Sequence, residues 1–148
     1  MRTRFVASVL LAGLSAAVAF AQTPAGSKAV MDTRKACQVS VPAAWTVKTN
    51  SATSADGKST ATVQALRADQ TFEEGKTRAK SNMKVVKIME DSAKRLMYVG
   101  DPGEKGPGLT GWYVVANTSP VCTVAFTFSK GADEAAAQKV ADSLAPVK

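Results

Sequence analysis

The chain has 148 residues, of which 45% are hydrophobic and 21% are charged, and its net charge is +7. This length suits one globular domain and is too short for two domains of typical size. The sequence contains no histidine, which excludes Ser-His-Asp and Cys-His nucleophilic sites and zinc sites with imidazole ligands. Its two cysteines are too few for a four-thiolate metal site.

Met1–Ala21 has the pattern of a secretory signal peptide. Arg2 and Arg4 precede an apolar run over residues 5–20, and the run ends in a small-x-small cleavage site, Ala-Phe-Ala, before Gln22. We therefore expect cleavage before Gln22 and a periplasmic or secreted protein, with the net charge lowered from +7 to about +5. An uncleaved membrane anchor is the alternative, because the apolar run is near the lower limit of spanning length.

The rest of the chain divides into a leader and a domain. Residues 22–35 contain Thr, Pro, Gly, Ser and charged residues without periodicity, which predicts a flexible leader. Residues 36–148 contain no internal repeat and no second apolar run of bilayer length. They are predicted to form a single domain without a membrane span.

The first half of the domain has the pattern of strands followed by a helix. Cys37–Val41 alternates between apolar and polar residues until Pro42, and Ser59–Leu66 alternates in the same way. Asp56-Gly57 lies before the second strand and predicts a two-residue hairpin turn. Thr71-Phe72-Glu73-Glu74 has the spacing of a capping box, which predicts a helix from about Phe72 to Asn82.

The predicted helix has features of a surface helix. Gly75 lowers its intrinsic stability by about 1 kcal/mol relative to alanine. Its apolar stripe is thin, since it consists of Phe72, Ala79 and Met83. We expect such a helix to lie on a surface by one edge and to be a candidate for mobility.

The second half of the domain is predicted to be a strand meander with a closing helix. Lys84–Asp91 and Leu96–Gly100 suggest a hairpin, although their irregular alternation leaves the buried face undefined. Leu109–Ala116 and Val121–Ser129 are further strands, and the second places Cys122, Val124, Phe126 and Phe128 on one face. The segment after Gly131 has helical periodicity and should cover that face with Ala136, Ala137, Val140, Ala141 and Leu144.

These elements predict an α+β domain with an antiparallel sheet of about six or seven strands and two flanking helices. Val41–Trp45 reads Val-Pro-Ala-Ala-Trp, a later strand contains Trp112-Tyr113, and the closing helix ends in Asp142-Ser143-Leu144. In these motifs and in its element order, the sequence from Ala36 to Leu144 resembles the PsbP/Mog1-like domains of exported proteins. Ala44 stands where a glycine is common in that family. The resemblance implies a sheet flanked by helices and a binding or assembly role, and it supplies no catalytic residue.

Cys37 and Cys122 are predicted to form a disulfide bond. They are the only two cysteines, each lies on the apolar face of an alternating strand, and export places them in an oxidising compartment. The alternative is two unpaired buried thiols that pack as small hydrophobic groups.

The remaining polar residues suggest three enzymatic arrangements, none of them well supported. The carboxylate pairs Glu73/Glu74 and Glu90/Asp91 are adjacent in sequence, so their side chains diverge and solvated surface is the better interpretation. Ser81-Asn82-Met83-Lys84 has Ser-x-x-Lys spacing without the companion motifs of a Ser-Lys hydrolase. Residues 103–108 lack the Gly-Lys-Ser/Thr ending of a phosphate-binding loop. No catalytic residue, metal site or cofactor is predicted.

The most adaptable surface in the sequence is the loop over residues 101–108, which contains three glycines and two prolines. Adjacent residues of a strand point to opposite faces, so one of Trp112 and Tyr113 should lie in the core and the other should be exposed beside this loop. For the two tryptophans, Trp45 and Trp112, core packing is the favoured interpretation. The predicted binding surface comprises Asp101, Gly103, Lys105, Gly108, Trp112 and Tyr113, with Lys94 and Arg95.

The function expected from the sequence is that of an exported, non-enzymatic binding or assembly module. Its partner could be a protein, an envelope polymer or a small ligand. Nucleic acid is not expected, because the basic residues are scattered without aromatic interleaving. The alternatives are a structural or inhibitory protein that occludes a partner surface and, ranked last, a carboxylate or Ser-Lys hydrolase.

Overall fold

The computed structural model describes residues 26–103, 106 and 108–148. The predicted signal peptide and residues 22–25 of the predicted leader lie outside this range. Within it the elements, in chain order, are β1 (Ser27–Met31), β2 (Cys37–Pro42), β3 (Thr46–Val47), β4 (Ser51–Thr53), β5 (Ser59–Ala65), α1 (Phe72–Asn82), β6 (Lys84–Asp91), β7 (Arg95–Asp101), β8 (Thr110–Ala116), β9 (Cys122–Phe128), α2 (Glu134–Asp142) and β10 (Ala145–Pro146).

The described strands form two antiparallel sheets. A seven-stranded sheet has the order β3-β4-β5-β9-β8-β7-β6, and a three-stranded sheet has the order β1-β2-β10. The predicted α+β class, antiparallel pairing and two helices are therefore confirmed. The predicted count of six or seven strands holds for the large sheet, while the small sheet is an addition to it.

One face of the large sheet is covered by α2 and the small sheet. The alternating residues of β9 and the buried positions of α2, Ala137, Val140 and Ala141, belong to one core cluster, as the sequence predicted. Val39 and Val41 of β2 and the nearby Trp45 add to the same cluster. Burying apolar surface between layers is the main source of stability in such an arrangement.

The other face is covered by α1, whose predicted bounds and capping box are confirmed. The Glu74 N–H donates to Thr71 Oγ1 at 3.3 Å, and the Thr71 N–H donates to Glu74 Oε2 at 2.7 Å. Gly75 lies against the sheet, where a Cβ atom would be 2.8 Å from Leu66 Cδ1 and 3.2 Å from Val115 Cγ1. The glycine that weakens the helix thus allows its close approach to the sheet.

The predicted disulfide between Cys37 and Cys122 is confirmed. Their Cα atoms are 5.6 Å apart, within the normal range for a bridged pair, and both residues are fully buried. The bond joins β2 of the small sheet to β9 of the large sheet.

The prediction of a flexible leader over residues 22–35 is wrong from Ser27 onward. Ser27–Met31 is strand β1, which pairs with β2 from Ser27↔Pro42 to Met31↔Gln38. Only Val30 of this strand is buried, so its sequence has no alternation to reveal it. Its pairing is decided by the backbone of β2, which a local pattern does not show.

The β4–β5 hairpin is present, but its turn is longer than the predicted two residues. The Ser54 N–H donates to the Ser59 carbonyl oxygen at 2.8 Å, which leaves the four residues 55–58 as the turn. The Asp56 carboxylate accepts hydrogen bonds from Ser54 Oγ at 2.5 Å and from the Lys58 N–H at 3.0 Å. These side-chain bonds stabilise the longer turn.

Candidate functional site

The described part of the glycine-rich loop follows the end of β7. Asp101 is the last residue of this strand, and its Oδ1 accepts a hydrogen bond from the Gly103 N–H at 2.8 Å. Asp101, Gly103 and Gly108 are exposed, as a binding loop requires. Lys105 lies outside the described residues.

The expectation of one exposed aromatic residue beside this loop is wrong. Trp112 and Tyr113 do point to opposite faces of β8, but only 4% and 8% of their surfaces are exposed. The Trp112 ring packs edge-on against Phe128 with the centroids 4.9 Å apart, and the Tyr113 ring stacks on Tyr98 at 6.0 Å. Both faces of β8 are buried because α1 covers the second one, so neither aromatic ring forms a binding surface.

Lys94 and Arg95 are not brought together with the loop. Arg95 begins β7 and Asp101 ends it, and the two ends of a seven-residue strand are about 20 Å apart. The predicted surface therefore separates into two groups at opposite ends of one strand.

Arg95 has a structural role at its end of β7. Its Nε lies 2.5 Å from Glu90 Oε2 and one terminal nitrogen lies 2.7 Å from Asp142 Oδ1. Burial opposes its charged form, but the two carboxylates outweigh this effect and raise the pKa of Arg95 above its usual value. The hydrogen bond from Arg95 likewise lowers the pKa of Glu90. The guanidinium thus joins the β6–β7 hairpin to the last residue of α2.

A different surface stands out at the free edge of the large sheet. Strand β6 is the last strand of that sheet and pairs only with β7. Val86, Ile88 and Met89 are exposed to 65%, 43% and 41% of their surfaces, and in the described residues the one other large exposed apolar side chain is Val47. We name the exposed side of Lys84–Asp91 the β6 edge.

Two bulges explain why the sequence did not reveal this surface. The pairing of β6 with β7 shifts between Val85 and Lys87 and again between Ile88 and Glu90, so Val86 and Met89 are extra residues without a direct partner. Each bulge interrupts the alternation of faces. The sequence does show the adjacent apolar pairs Val85-Val86 and Ile88-Met89 at the bulges. Such pairs, however, do not distinguish a strand with bulges from a segment that has weak strand character.

Charge is distributed unevenly along the β6 edge. Lys84 and Lys87 lie in the first half of the strand, whereas Glu90 and Asp91 are its last two residues. Asp91 Oδ1 is 3.3 Å from the Lys76 ammonium of α1, and its side chain remains 45% exposed. The edge is thus basic at its start, apolar in its centre and acidic at its end.

The residues considered for catalysis have local structural contacts. Glu73 lies 2.9 Å from Lys76 Nζ, Glu74 caps α1, and Glu90 and Asp91 form the ion pairs described above. The Ser81 hydroxyl donates to backbone carbonyl oxygens of its own helix, at 3.1 Å from Thr77 and at 2.9 Å from Arg78. These contacts give each of these side chains a structural role, either in α1 or in the β6–β7 hairpin.

The chain matches no protein-family model and no curated protein. The Cys37–Cys122 disulfide indicates an oxidising compartment, since such bonds are rare where thiols are kept reduced. Neither helix in the described part of the chain has the length and apolar character needed to cross a bilayer.

Proposed function

We propose that this protein is an exported, non-enzymatic binding or assembly module of the PsbP/Mog1-like type. Three observations support the proposal: the signal-peptide pattern of Met1–Ala21, the disulfide, and an antiparallel sheet flanked by helices. Cleavage of the signal peptide during export would give a periplasmic or secreted protein.

The β6 edge is the observation that carries this function. An unpaired strand edge presents a row of backbone N–H and C=O groups that can pair with an added strand. Here the long free edge also exposes Val86, Ile88 and Met89, and covering apolar surface of this kind stabilises a complex. The opposite edge of the sheet is the two-residue strand β3, which offers little backbone to pair.

A hydrolase based on carboxylates or on Ser81 and Lys84 is less well supported. The carboxylates are engaged with Lys76, Arg95 or the start of α1, and the Ser81 hydroxyl bonds to carbonyl oxygens of its own helix. Activation of a serine requires a base within hydrogen-bond reach of its hydroxyl. A binding role uses the β6 edge without any rearrangement of these contacts.

Site-specific cross-linking in cells that export the protein tests the proposal. A photoreactive amino acid at Ile88 should yield a discrete cross-linked complex, because the side chain is exposed at the centre of the β6 edge. The matched control places the same group at Val47, an exposed apolar residue on the opposite edge of the sheet. Equal capture at both positions, or capture at Val47 alone, would contradict the assignment.

A second variant separates the β6 edge from the loop that the sequence favoured. Shortening the loop within residues 102–108 should leave the cross-link at Ile88 unchanged, because Ile88 pairs with Tyr98, three residues before β7 ends at Asp101. Loss of the cross-link in a variant that stays folded would return the binding surface to the loop.

A further inference from the structure

We propose that the β6 edge binds an extended segment of another exported protein, in which acidic and apolar residues alternate. The segment adds as a further strand beside β6. Its acidic side chains lie against Lys84 and Lys87, and its apolar side chains lie against Val85 and Ile88. This inference rests on the proposed function and gives the chemistry of the partner for the same surface.

The lysines of the β6 edge lie on one face of the sheet. Lys87 pairs with Val99, which packs against the core cluster that α2 and the small sheet cover. Lys84 pairs with Asp101, which is two residues farther along β7 and so belongs to the same face. Both lysines are exposed. The α2 side of the β6 edge is therefore cationic.

The other face of the β6 edge is apolar. Ile88 pairs with Tyr98, and Val85 pairs with Gly100. Tyr98 belongs to the core cluster between the sheet and α1, and Val85 packs against the same cluster. Ile88 lies on this face too, with 43% of its surface exposed. A partner strand that covers Ile88 from the α1 side needs apolar side chains there.

The two bulges preserve the alternation that a partner strand would meet. Six consecutive residues of β7, from Leu96 to Asp101, pair with six of the eight residues of β6 and pass over Val86 and Met89. Cationic and apolar positions therefore alternate along the first half of β6 at the spacing of a regular strand. Val86 and Met89 add exposed apolar surface at the same edge.

The charge that remains for a partner to neutralise is positive. Glu90 and Asp91 are each in an ion pair within the chain, as described above. Neither Lys84 nor Lys87 forms an ion pair with another described residue. Lysines on a strand edge oppose pairing with a strand that lacks compensating charge. They consequently select a partner with acidic side chains at the facing positions.

Peptide binding to the purified exported protein tests this chemistry. The probe is the synthetic peptide acetyl-Ser-Thr-Glu-Val-Glu-Ile-Thr-Ser-amide, titrated into isotope-labelled protein and followed by NMR. It should shift the amide signals of β6 and β7 and leave those of β3 and β4 unchanged. A peptide with both glutamates replaced by lysine, and one with the central order Glu-Glu-Val-Ile, should each bind at least about tenfold more weakly.

Charge reversal in the protein assigns the effect to the two lysines. The double variant Lys84→Glu/Lys87→Glu should bind the acidic peptide at least about tenfold more weakly than wild type does, and should bind the lysine peptide more tightly. The matched control is Lys48→Glu/Lys130→Glu, which makes the same change in net charge at exposed lysines outside β6. It should leave the preference for the acidic peptide unchanged. Circular dichroism establishes that each variant is folded.

Equal binding of the three peptides, or no binding at millimolar concentration, would overturn the inference. Vesicles of phosphatidylcholine and phosphatidylglycerol test a lipid source of negative charge. Vesicle binding that requires Lys84 and Lys87, without peptide binding, would assign the surface to a membrane instead of a strand. If no peptide binds while the Ile88 cross-link captures a protein, the proposed function stands and the partner chemistry is wrong; if nothing is captured either, both fail.

Discussion

The carboxylate of Asp32 is almost fully enclosed at the turn that joins β1 to β2. Its Oδ1 accepts hydrogen bonds from the N–H groups of Ala36 at 2.6 Å and Cys37 at 2.7 Å, and its Oδ2 accepts one from Arg34 at 3.0 Å. Burial acts to raise the pKa of Asp32, but these three hydrogen bonds and the Arg34 charge outweigh it and hold the pKa below its usual value. The folded protein therefore favours the charged carboxylate.

Replacing Asp32 with asparagine should lower the free energy of unfolding by about 2 kcal/mol near pH 7, because an NH2 group then faces a backbone N–H donor. A depressed folded pKa means that the stabilisation is complete above the unfolded pKa of about 3.9 and is lost as the pH falls through the folded value. The difference between wild type and Asp32→Asn should therefore shrink below about pH 4.

Urea unfolding of both proteins from neutral to strongly acidic pH measures this difference. Asp69→Asn is the matched control, because Asp69 is an exposed carboxylate in a surface ion pair with Arg67 and such pairs contribute little. A difference between wild type and Asp32→Asn that stays constant with pH would show that the charge of Asp32 is not responsible.

Met83 fills a groove made by two facing glycines. Gly100 of β7 and Gly111 of β8 are directly paired. A Cβ atom would lie 2.3 Å from Met83 Cγ at Gly100 and 2.7 Å from Met83 Cε at Gly111. The absence of side chains at both positions thus creates the space in which Met83 is buried.

Gly100→Ala should destabilise the protein by about 2 kcal/mol, because the added methyl group overlaps the Met83 side chain. Met83→Ala alone should cost about 2 to 3 kcal/mol through the cavity it leaves. In the double variant the new methyl group occupies part of that cavity, so the combined loss should be smaller than the sum by about 1 kcal/mol or more. Chemical denaturation of the four proteins measures the coupling, and additive losses would show that the two residues do not share this space.

At the scale of elements, the disulfide joins strands that belong to different sheets. Cys37 lies at the start of β2 and Cys122 at the start of β9, and 85 residues separate them. Apart from this bond, the small sheet is held on the large one by side-chain packing in the shared core and by the Arg34 guanidinium, which donates to the carbonyl oxygens of Ala65 and Leu66. The bond therefore constrains the layer contact on which that core depends.

Replacing both Cys37 and Cys122 with alanine should lower the free energy of unfolding by about 4 kcal/mol, because the unfolded chain regains the freedom of a long closed loop. Equilibrium denaturation under oxidising conditions measures this loss, and wild type treated with a thiol reductant should approach the double variant. Thiol counting on denatured, unreduced protein should detect no free thiol. Two free thiols in the exported protein would contradict the bond.

Elements whose determinants are local could be predicted from the sequence. The start of α1 follows from Thr71 and Glu74 because a capping box acts within four residues, and β9 follows from its alternation. Strand β1 escaped prediction because its pairing depends on β2, and β6 was unclear because two bulges break its alternation. Long-range pairing and bulges leave little trace in a local pattern.

The binding surface predicted from the sequence, around Trp112 and Tyr113, was misplaced for a related reason. Exposure of Trp112 or Tyr113 depends on whether both faces of β8 are covered. Gly75 and Ala79 make the apolar stripe of α1 look weak, yet their small size lets the helix lie close to Tyr113 and Val115. From the sequence, the thin apolar stripe of α1 suggested that the helix would cover the sheet poorly. In the structure, the same small residues let the helix contact the sheet closely.

At the scale of the whole molecule, the two faces of the large sheet are held in different ways. One face is covered by α2 and by a sheet that is covalently joined through the disulfide. The other is covered by α1, whose buried residues are only Gly75 and Ala79. The Tyr98 hydroxyl fixes the end of this helix from the sheet, donating to the Ala79 carbonyl oxygen at 2.6 Å.

This asymmetry predicts that α1 opens before the rest of the molecule. Its amide hydrogens should exchange through local opening at a lower free energy than those of β8 and β9, because little apolar area holds the helix. Tyr98→Phe keeps the stacked ring but removes the hydroxyl, so exchange near residues 79–83 should become about fivefold faster for a loss of about 1 kcal/mol. Hydrogen exchange with mass spectrometry resolves the two regions.

Tyr113→Phe provides the control for this experiment, because it removes the hydroxyl of the other ring in the same stacked pair. It should leave exchange in α1 close to the wild-type rate. Because opening of α1 uncovers one face of β7 and β8 while the disulfide still holds the other layer, protection of β9 should change little in either variant. Equal acceleration in α1 and β9 would mean that the helix unfolds only with the whole domain, and that the hydroxyl of Tyr98 contributes to global stability instead of to docking of the helix.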